Sequence, residues 1–267
     1  MPDAPLPAGL APRLIAVDLD GTLAPQSGGV PPGVADAVTR VTDLGAVVVA
    51  ATGRSLTTTA PLARDAGLHG YAVVSNGAMI ITVDPPSVVE ALTFDATELL
   101  HELAPLLPDA TFAVETTEGA FLTSRHFVDR GVSLDIREVA FDELTREPVV
   151  RLIVRSDDHV AQGLGAVVEH LDMHSIAFGV TDVAWLDLGI KGVTKATGLQ
   201  KLCARLGIDS SEVLAIGDAM NDIEMLEWAG TAVVMGHARD EIKAYADHVT
   251  GPVPGIGVIE VLDQLYR

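Results

Sequence analysis

Short, unbroken apolar runs alternate with amphipathic stretches over the first part of the chain. Leu14-Ile15-Ala16-Val17 and Ala46-Val47-Val48-Val49-Ala50 read as strands buried on both faces, and Val213-Leu214-Ala215-Ile216 repeats the pattern much later. The predicted strands are Leu14–Asp18, Ala46–Ala51 and Tyr71–Ser75. Between them Pro31–Leu44 and Leu56–Ala66 carry helical spacing, each followed by a glycine, as a helix C-terminus prefers. This order predicts βαβαβ and a parallel sheet.

After Asp84-Pro85-Pro86 the pattern changes. Strand-like runs at Val88–Leu92, Thr111–Glu115, Ala120–Thr123, Val149–Arg155, Ser175–Phe178 and Val183–Asp187 mix with helical patterns at Ala96–Leu107 and His159–Asp172. That mixture predicts an α+β insertion with an antiparallel sheet. The last part returns to βα units: helices at Thr194–Leu206, Asn221–Trp228, Glu241–Ala246 and Val258–Leu265, strands at Val213–Gly217, Thr231–Met235 and His248–Thr250. The expected division is a flexible tail over 1–12, a discontinuous α/β core over 13–83 and 188–267, and an inserted domain over 84–187.

Composition narrows the function classes. A chain of 267 residues that is 48% hydrophobic has ample material for a core. A formal net charge of −20 argues against nucleic acid and against an anionic membrane surface, both of which need clustered Lys and Arg. The same charge repels an anionic substrate, so a local cation must attract it. No apolar segment approaches the ~20 residues of a membrane span, and Met1–Pro12 lacks the pattern of a signal peptide. The one cysteine, Cys203, lies in an apolar helical pattern and is expected to be a buried thiol in a reducing compartment. The expectation is a cytoplasmic monomer.

Polar groups collect where the buried runs end. Asp18-Leu19-Asp20-Gly21-Thr22 follows the first, Ala51-Thr52-Gly53-Arg54 the second, and Gly217-Asp218-Ala219-Met220-Asn221-Asp222 the late one; Lys191-Gly192-Val193-Thr194-Lys195 opens a helix. The C-terminal ends of strands in an open α/β sheet form its ligand crevice. Two acids at the mouth of a core are costly unless paired or metal-bound, and they suit Mg²⁺ with a nucleophilic aspartate.

These four segments, in order, resemble the motifs of the haloacid dehalogenase superfamily of phosphohydrolases, in particular its Cof-type, subclass IIB members. Ser75-Asn76-Gly77-Ala78 and the run after Asp222 resemble them as well, and the likeness spans nearly the whole chain beyond the first dozen residues. It implies a Rossmann-like core with a C2-type cap, here the 84–187 insertion.

Asp18 is the expected nucleophile and, through its other oxygen, a metal ligand. Asp20 suits a general acid that then serves as base, and the resemblance adds its backbone carbonyl to the metal set. Gly21 permits the turn, and Thr22 braces it. Asp218 is the second metal carboxylate, enough for an ion that prefers oxygen and keeps waters. Leu19, Thr52, Gly53, Lys195 and Asn221 form the expected phosphate-binding set; Asn221 enters through the resemblance, and Lys195 is preferred over Lys191 because it begins the helix.

Other roles stay open at this point. Asp222 supports the metal or ligates it. Arg54 meets substrate oxygens or pairs with a helix acid. Asn76 and Gly77 touch the leaving group or only form a turn. Arg125, His126 and Arg130 reach a second anionic group or lie on a solvated face. Two departures from the Cof-type pattern, His237 where asparagine is common and Gly251-Pro252-Val253-Pro254-Gly255-Ile256-Gly257 in place of a more acidic loop, fall on the rim of the site. The expected activity is Mg²⁺-dependent hydrolysis of small phosphomonoesters, sugar phosphates first, through an aspartyl-phosphate. A phosphotransferase or hexose-phosphate mutase on the same core is the alternative, and a non-catalytic phosphate sensor ranks below it.

Overall fold

The computed structural model describes residues 6–26, 28–125, 136–157, 161–168, 170–171, 173–180 and 183–266. The chain divides into two compact units, Met1–Val89 with Thr194–Arg267 and Glu90–Val193. The sequence reading places these breaks at 83/84 and 187/188.

The first unit is built on an eight-stranded sheet. In chain order its elements are β1 (Leu14–Val17), α1 (Val34–Asp43), β2 (Val47–Ala51), α2 (Leu56–Asp65), β3 (Tyr71–Val74), β4 (Met79–Val83) and β5 (Pro86–Ala91). With β12 (Val213–Gly217), β13 (Thr231–Val234) and β14 (His248–Val249) from the late half of the chain, the strand order across the sheet is β14-β13-β12-β1-β2-β3-β4-β5. Pairing from β14 through β3 is parallel, with Leu14 opposite both Val213 and Val47. β4 turns back antiparallel on β3. The sequence reading missed β4. Its residues Met79-Ile80-Ile81-Thr82-Val83 are apolar enough, but they follow Asn76-Gly77 so closely that they read as the tail of a loop.

The second unit contains α3 (Thr97–Leu106), β6 (Thr111–Glu115), β7 (Phe121–Thr123), β8 (Ile136–Glu138), β9 (Arg151–Ser156), α4 (Ala161–Val168), β10 (His174–Val180) and β11 (Val183–Gly189). Its sheet runs β10-β11-β9-β6-β7-β8, antiparallel except for the β7–β8 pair. Leu100, Leu103, Phe112, Leu152, Leu164 and Leu186 share one buried cluster. Glu115, Arg151 and Asp187 lie on one face of this sheet, since Glu115 pairs with Arg151 across β6–β9 and Asp187 with Ile153 across β11–β9. Arg151 bridges both acids, Nε to Glu115 at 2.7 Å and Nη1 to Asp187 at 2.6 Å. β8 was missed because Ile136-Arg137-Glu138 carries no apolar run.

The first unit is completed by α5 (Lys195–Leu206), β12 (Val213–Gly217), α6 (Ile223–Trp228), β13 (Thr231–Val234), α7 (Asp240–Lys243), β14 (His248–Val249) and α8 (Ile256–Leu262). Leu14, Ile15, Leu214 and Ile216 are fully buried, and each such side chain contributes about 1.5–3 kcal/mol of transfer free energy. Part of the expected tail is held: Leu6 is buried, Tyr266 N–H donates to the Leu10 carbonyl at 3.1 Å, and the Tyr266 hydroxyl donates to the Pro12 carbonyl. Among the described residues no helix is long and apolar enough to cross a membrane.

The topology decides where chemistry can occur. From β1 the chain builds outward through β2 and β3, and after the second unit it returns to β12 on the other side of β1. The crevice at such a reversal lies beyond the strand C-termini. Asp18 and Asp218 are the residues that leave β1 and β12 there.

Candidate active site

Asp18 ends a fully buried strand and is itself 4% exposed. Its Oδ1 accepts a 2.6 Å hydrogen bond from Lys195 Nζ. Lys195 opens α5, where the Thr197 hydroxyl accepts from Thr194 N–H at 3.2 Å and so satisfies one of the free donors of the helix start. The lysine is 1% exposed, and its ammonium also donates to Asp222 Oδ1 at 2.6 Å. Burial opposes its charge, but Asp18 and Asp222 outweigh burial and hold the ammonium proton more tightly than in free lysine.

Asp222 is fully buried and engages both oxygens. Oδ1 meets Lys195, while Oδ2 accepts from the backbone N–H groups of Asp218 and Ala219, each at 2.9 Å. It therefore anchors the lysine and shapes the turn that presents Asp218. Both Asp222 oxygens are thus engaged by groups of the chain itself.

Asp218 is held from both sides. Thr22 Oγ1 donates to its Oδ1 at 2.7 Å, and His237 Nε2 faces its Oδ2 at 3.2 Å. His237 Nδ1 faces the Pro252 carbonyl oxygen at 2.9 Å. Gly255 N–H donates to the Thr22 carbonyl at 2.7 Å. The 251–257 loop thus contacts both residues that hold Asp218, His237 through its ring and Thr22 through its backbone. Gly21, at φ +92°, lies so close that a Cβ there would come 2.5 Å from Asp218 Oδ2.

Asp18, Asp218 and Asp222 each offer an oxygen within 4.8 Å of the others. Burial pushes the Asp18 carboxyl well above the usual carboxylate range; Lys195 opposes this, and Asp222 and Asp218 add to it. Burial raises Asp218 too, against the Thr22 hydrogen bond. Three carboxyl groups face one ammonium, and burial disfavours the charged forms of Asp18 and Asp218, so a hard divalent cation supplies the positive charge that would favour them. The donor set fits Mg²⁺.

Asp20 and Arg54 form a bidentate pair, Nε to Oδ2 at 2.7 Å and Nη2 to Oδ1 at 2.5 Å. The sequence reading offered Arg54 a helix acid or the substrate as partner. The acid it meets is Asp20, from the turn after β1. Arg54 N–H also donates to Thr52 Oγ1 at 3.1 Å, so the Thr52 hydroxyl keeps its own proton to donate. Asn221 Nδ2 donates to Asn76 Oδ1 at 3.0 Å.

Leu19 is buried directly between the two aspartates, and Gly53 lies beside Asn76. Lys191, the competitor of Lys195, is exposed and belongs to the other unit. Arg125 Nη2 donates to the Pro108 carbonyl at 3.2 Å, while His126 and Arg130 lie outside the described residues. Sequence reasoning did not connect Thr22 or His237 with Asp218. A signal was present: His237 follows β13, the strand next to β12, and so belongs to the same sheet edge.

The haloacid dehalogenase-like hydrolase family model matches residues 15–262. The putative phosphatase YkrA of Bacillus subtilis is 28% identical over 95% of this chain and 97% of its own. A phosphoglycolate phosphatase of Natronomonas pharaonis is 31% identical over 94% and 96%. The solved structure of the subclass IIB sugar phosphatase BT4131 aligns with a TM-score of 0.76 at 22% identity, covering 94% of this chain and 98% of that one. The match runs from β1 through α8 and takes in every segment that carries an acid or the lysine of the site, so this protein belongs to the haloacid dehalogenase-like hydrolases.

Proposed function

We propose that the protein is a Mg²⁺-dependent phosphomonoesterase acting on small phosphorylated metabolites through an aspartyl-phosphate. The observation that carries this reading is the buried Asp18–Lys195–Asp222 chain beside Asp218, with Asp20 two residues from the nucleophile in the grip of Arg54. Asp18, Asp218 and the Asp20 backbone carbonyl would hold the metal. Bound there, it would neutralise phosphoryl oxygens and so open phosphorus to an anionic nucleophile.

The chain's own groups do the rest. The Thr52 hydroxyl, the backbone N–H groups of Leu19 and Gly53, Lys195 and Asn221 receive the phosphoryl oxygens. An Asp18 oxygen forms a bond to phosphorus as the ester oxygen leaves, and Asp20 gives that oxygen its proton. Asp20 then takes a proton from water, the water oxygen bonds to phosphorus, and the Asp18 oxygen is released with inorganic phosphate as product. The 84–187 insertion serves as the cap that selects substrate, and the protein works as a cytoplasmic monomer.

Sugar phosphates are the first substrate class. The phosphoglycolate phosphatase relative puts short phosphorylated acids on the same panel. The test is phosphate release from sugar phosphates, phosphoglycolate, nucleotides, flavin mononucleotide and pyridoxal phosphate, with Mg²⁺ and with chelator, beside Asp18→Asn. Release that needs metal and disappears in the variant is the expected result. Folded, metal-supplied protein that turns over none of them moves the reading to phosphoryl transfer between sugars, or to sensing.

A further inference from the structure

Asn76 belongs to none of the four motifs, yet it and its neighbours touch three of the segments that carry them. Its backbone N–H donates to the Thr52 carbonyl at 3.0 Å, and Ser75 N–H donates to the Arg54 carbonyl at 2.8 Å. The turn is therefore stitched along the segment that supplies the Thr52 hydroxyl and Gly53 N–H. Gly53 lies under the Asn76 carboxamide, where a Cβ would come 3.0 Å from Oδ1. Gly77, at φ +96°, abuts the start of α5, and a Cβ there would sit 1.8 Å from the Thr194 carbonyl oxygen, one residue before Lys195. The third connection is the side chain, whose Oδ1 accepts from Asn221 Nδ2.

The backbone of this turn is unusual. Ser75 and Asn76 have φ of +51° and +54°, both in the left-handed region, and both are buried. Non-glycine residues avoid that region, asparagine less than most. Glycine would adopt it freely. What asparagine adds over glycine is the carboxamide, and the carboxamide bonds Asn221. With one N–H engaged, Asn221 cannot rotate freely, and its remaining polar groups are preset for a ligand.

We propose that Asn76 is the positioning residue of the phosphate cradle: it holds the Asn221 carboxamide and the Thr52–Gly53 backbone in one register, so that both meet the same phosphoryl group. The inference rests on the phosphatase reading above and adds to it the residue that joins the second and fourth motifs.

A double-mutant cycle tests it. Asn76→Gly keeps the left-handed backbone and deletes the carboxamide, and Asn221→Ala deletes its partner. The readouts are the inhibition constant of inorganic phosphate in the presence of Mg²⁺, kcat and KM on the best substrate, and the thermal midpoint. Each single variant is expected to weaken phosphate about tenfold, the worth of one hydrogen bond. The double variant should be no weaker than Asn221→Ala alone, with the midpoint of Asn76→Gly close to wild type. Effects that multiply in the double variant, or a loss that tracks the midpoint, overturn the inference.

Side-chain amide NMR gives a readout independent of turnover, should Asn221→Ala fail to fold. The Asn221 NH₂ pair should be slow to exchange in wild type and lose that protection in Asn76→Gly; an unchanged pair overturns the inference. Wild-type protein that neither hydrolyses phosphomonoesters nor binds phosphate overturns the phosphatase reading and this inference with it. Hydrolysis combined with independent variants overturns this inference alone.

Discussion

Arg54 grips both oxygens of Asp20 through two hydrogen bonds, at 2.7 and 2.5 Å. The arginine comes from the turn after β2 and the aspartate from the turn after β1, so the pair bridges neighbouring strand ends. A guanidinium fork sets the plane of a carboxylate, and a lysine ammonium does not. Arg54→Lys is therefore expected to lower kcat about 10- to 100-fold, through misplacement of Asp20. The thermal midpoint should move little. Steady-state kinetics and a melting curve check this, and an unchanged kcat would mean that something other than Arg54 aims the acid.

Asp20→Asn removes the proton donor and keeps the shape. For alkyl phosphates, whose leaving oxygen needs a proton, the expected loss in kcat is about 10²–10⁴-fold. For p-nitrophenyl phosphate, whose leaving group departs as an anion, the first step should suffer far less. A burst of p-nitrophenol matching the enzyme concentration, followed by slow turnover, is the expected signature. Equal losses on both substrate types would take Asp20 out of the acid role.

Lys195→Met leaves Asp18 and Asp222 buried without their shared ammonium. Removing one member of a buried ion network costs about 3–5 kcal/mol of stability. Urea denaturation with chelator present should show that loss. Adding Mg²⁺ should recover part of it, because a cation again faces the carboxylates. A variant as stable as wild type would show that the two acids are not charged in the folded protein.

Burial raises the Asp18 and Asp218 carboxyls above their unfolded value of 3.8. Between that value and the raised one, the folded state binds more protons than the unfolded state, so stability falls as pH rises. Chelator-treated protein should therefore gain stability on acidification from neutral pH toward the ordinary carboxylate range. Saturating Mg²⁺ should flatten or reverse the slope, because metal competes with protons for the same oxygens. Denaturation midpoints across pH, with and without metal, measure both slopes.

Much of this site is legible in the sequence, for a physical reason. Strands buried on both faces appear as unbroken apolar runs, and the polar residues that end them must lie at one edge of a parallel sheet. That logic brought Asp18, Thr52 and Asp218 together, and periodicity put Lys195 at a helix start. Pairings made by side chains across hundreds of residues leave no such trace. Arg54 meeting Asp20, Thr22 meeting Asp218, and Asn76 meeting Asn221 each depend on how neighbouring turns face one another, which sheet order sets and local pattern does not. β4 escapes the pattern for a related reason: its antiparallel return from β3 follows a buried four-residue connection, Ser75–Ala78, shorter than the connections that separate the parallel strands.

The clasp on Asp218 also has a consequence in time. Thr22 reaches it across 196 residues of sequence, and its own backbone is secured by Gly255. His237 is secured by Pro252. During synthesis Asp18 and Thr22 leave the ribosome long before Asp218, His237, Pro252 and Gly255 exist, and even a chain extended through Asp222 lacks the loop that steadies the carboxylate. All the motif segments can thus be present in a nascent polypeptide that has no finished metal site. A chain that ends shortly before residue 252 carries every acid of the site and lacks both contacts, from Pro252 and Gly255, that secure the clasp.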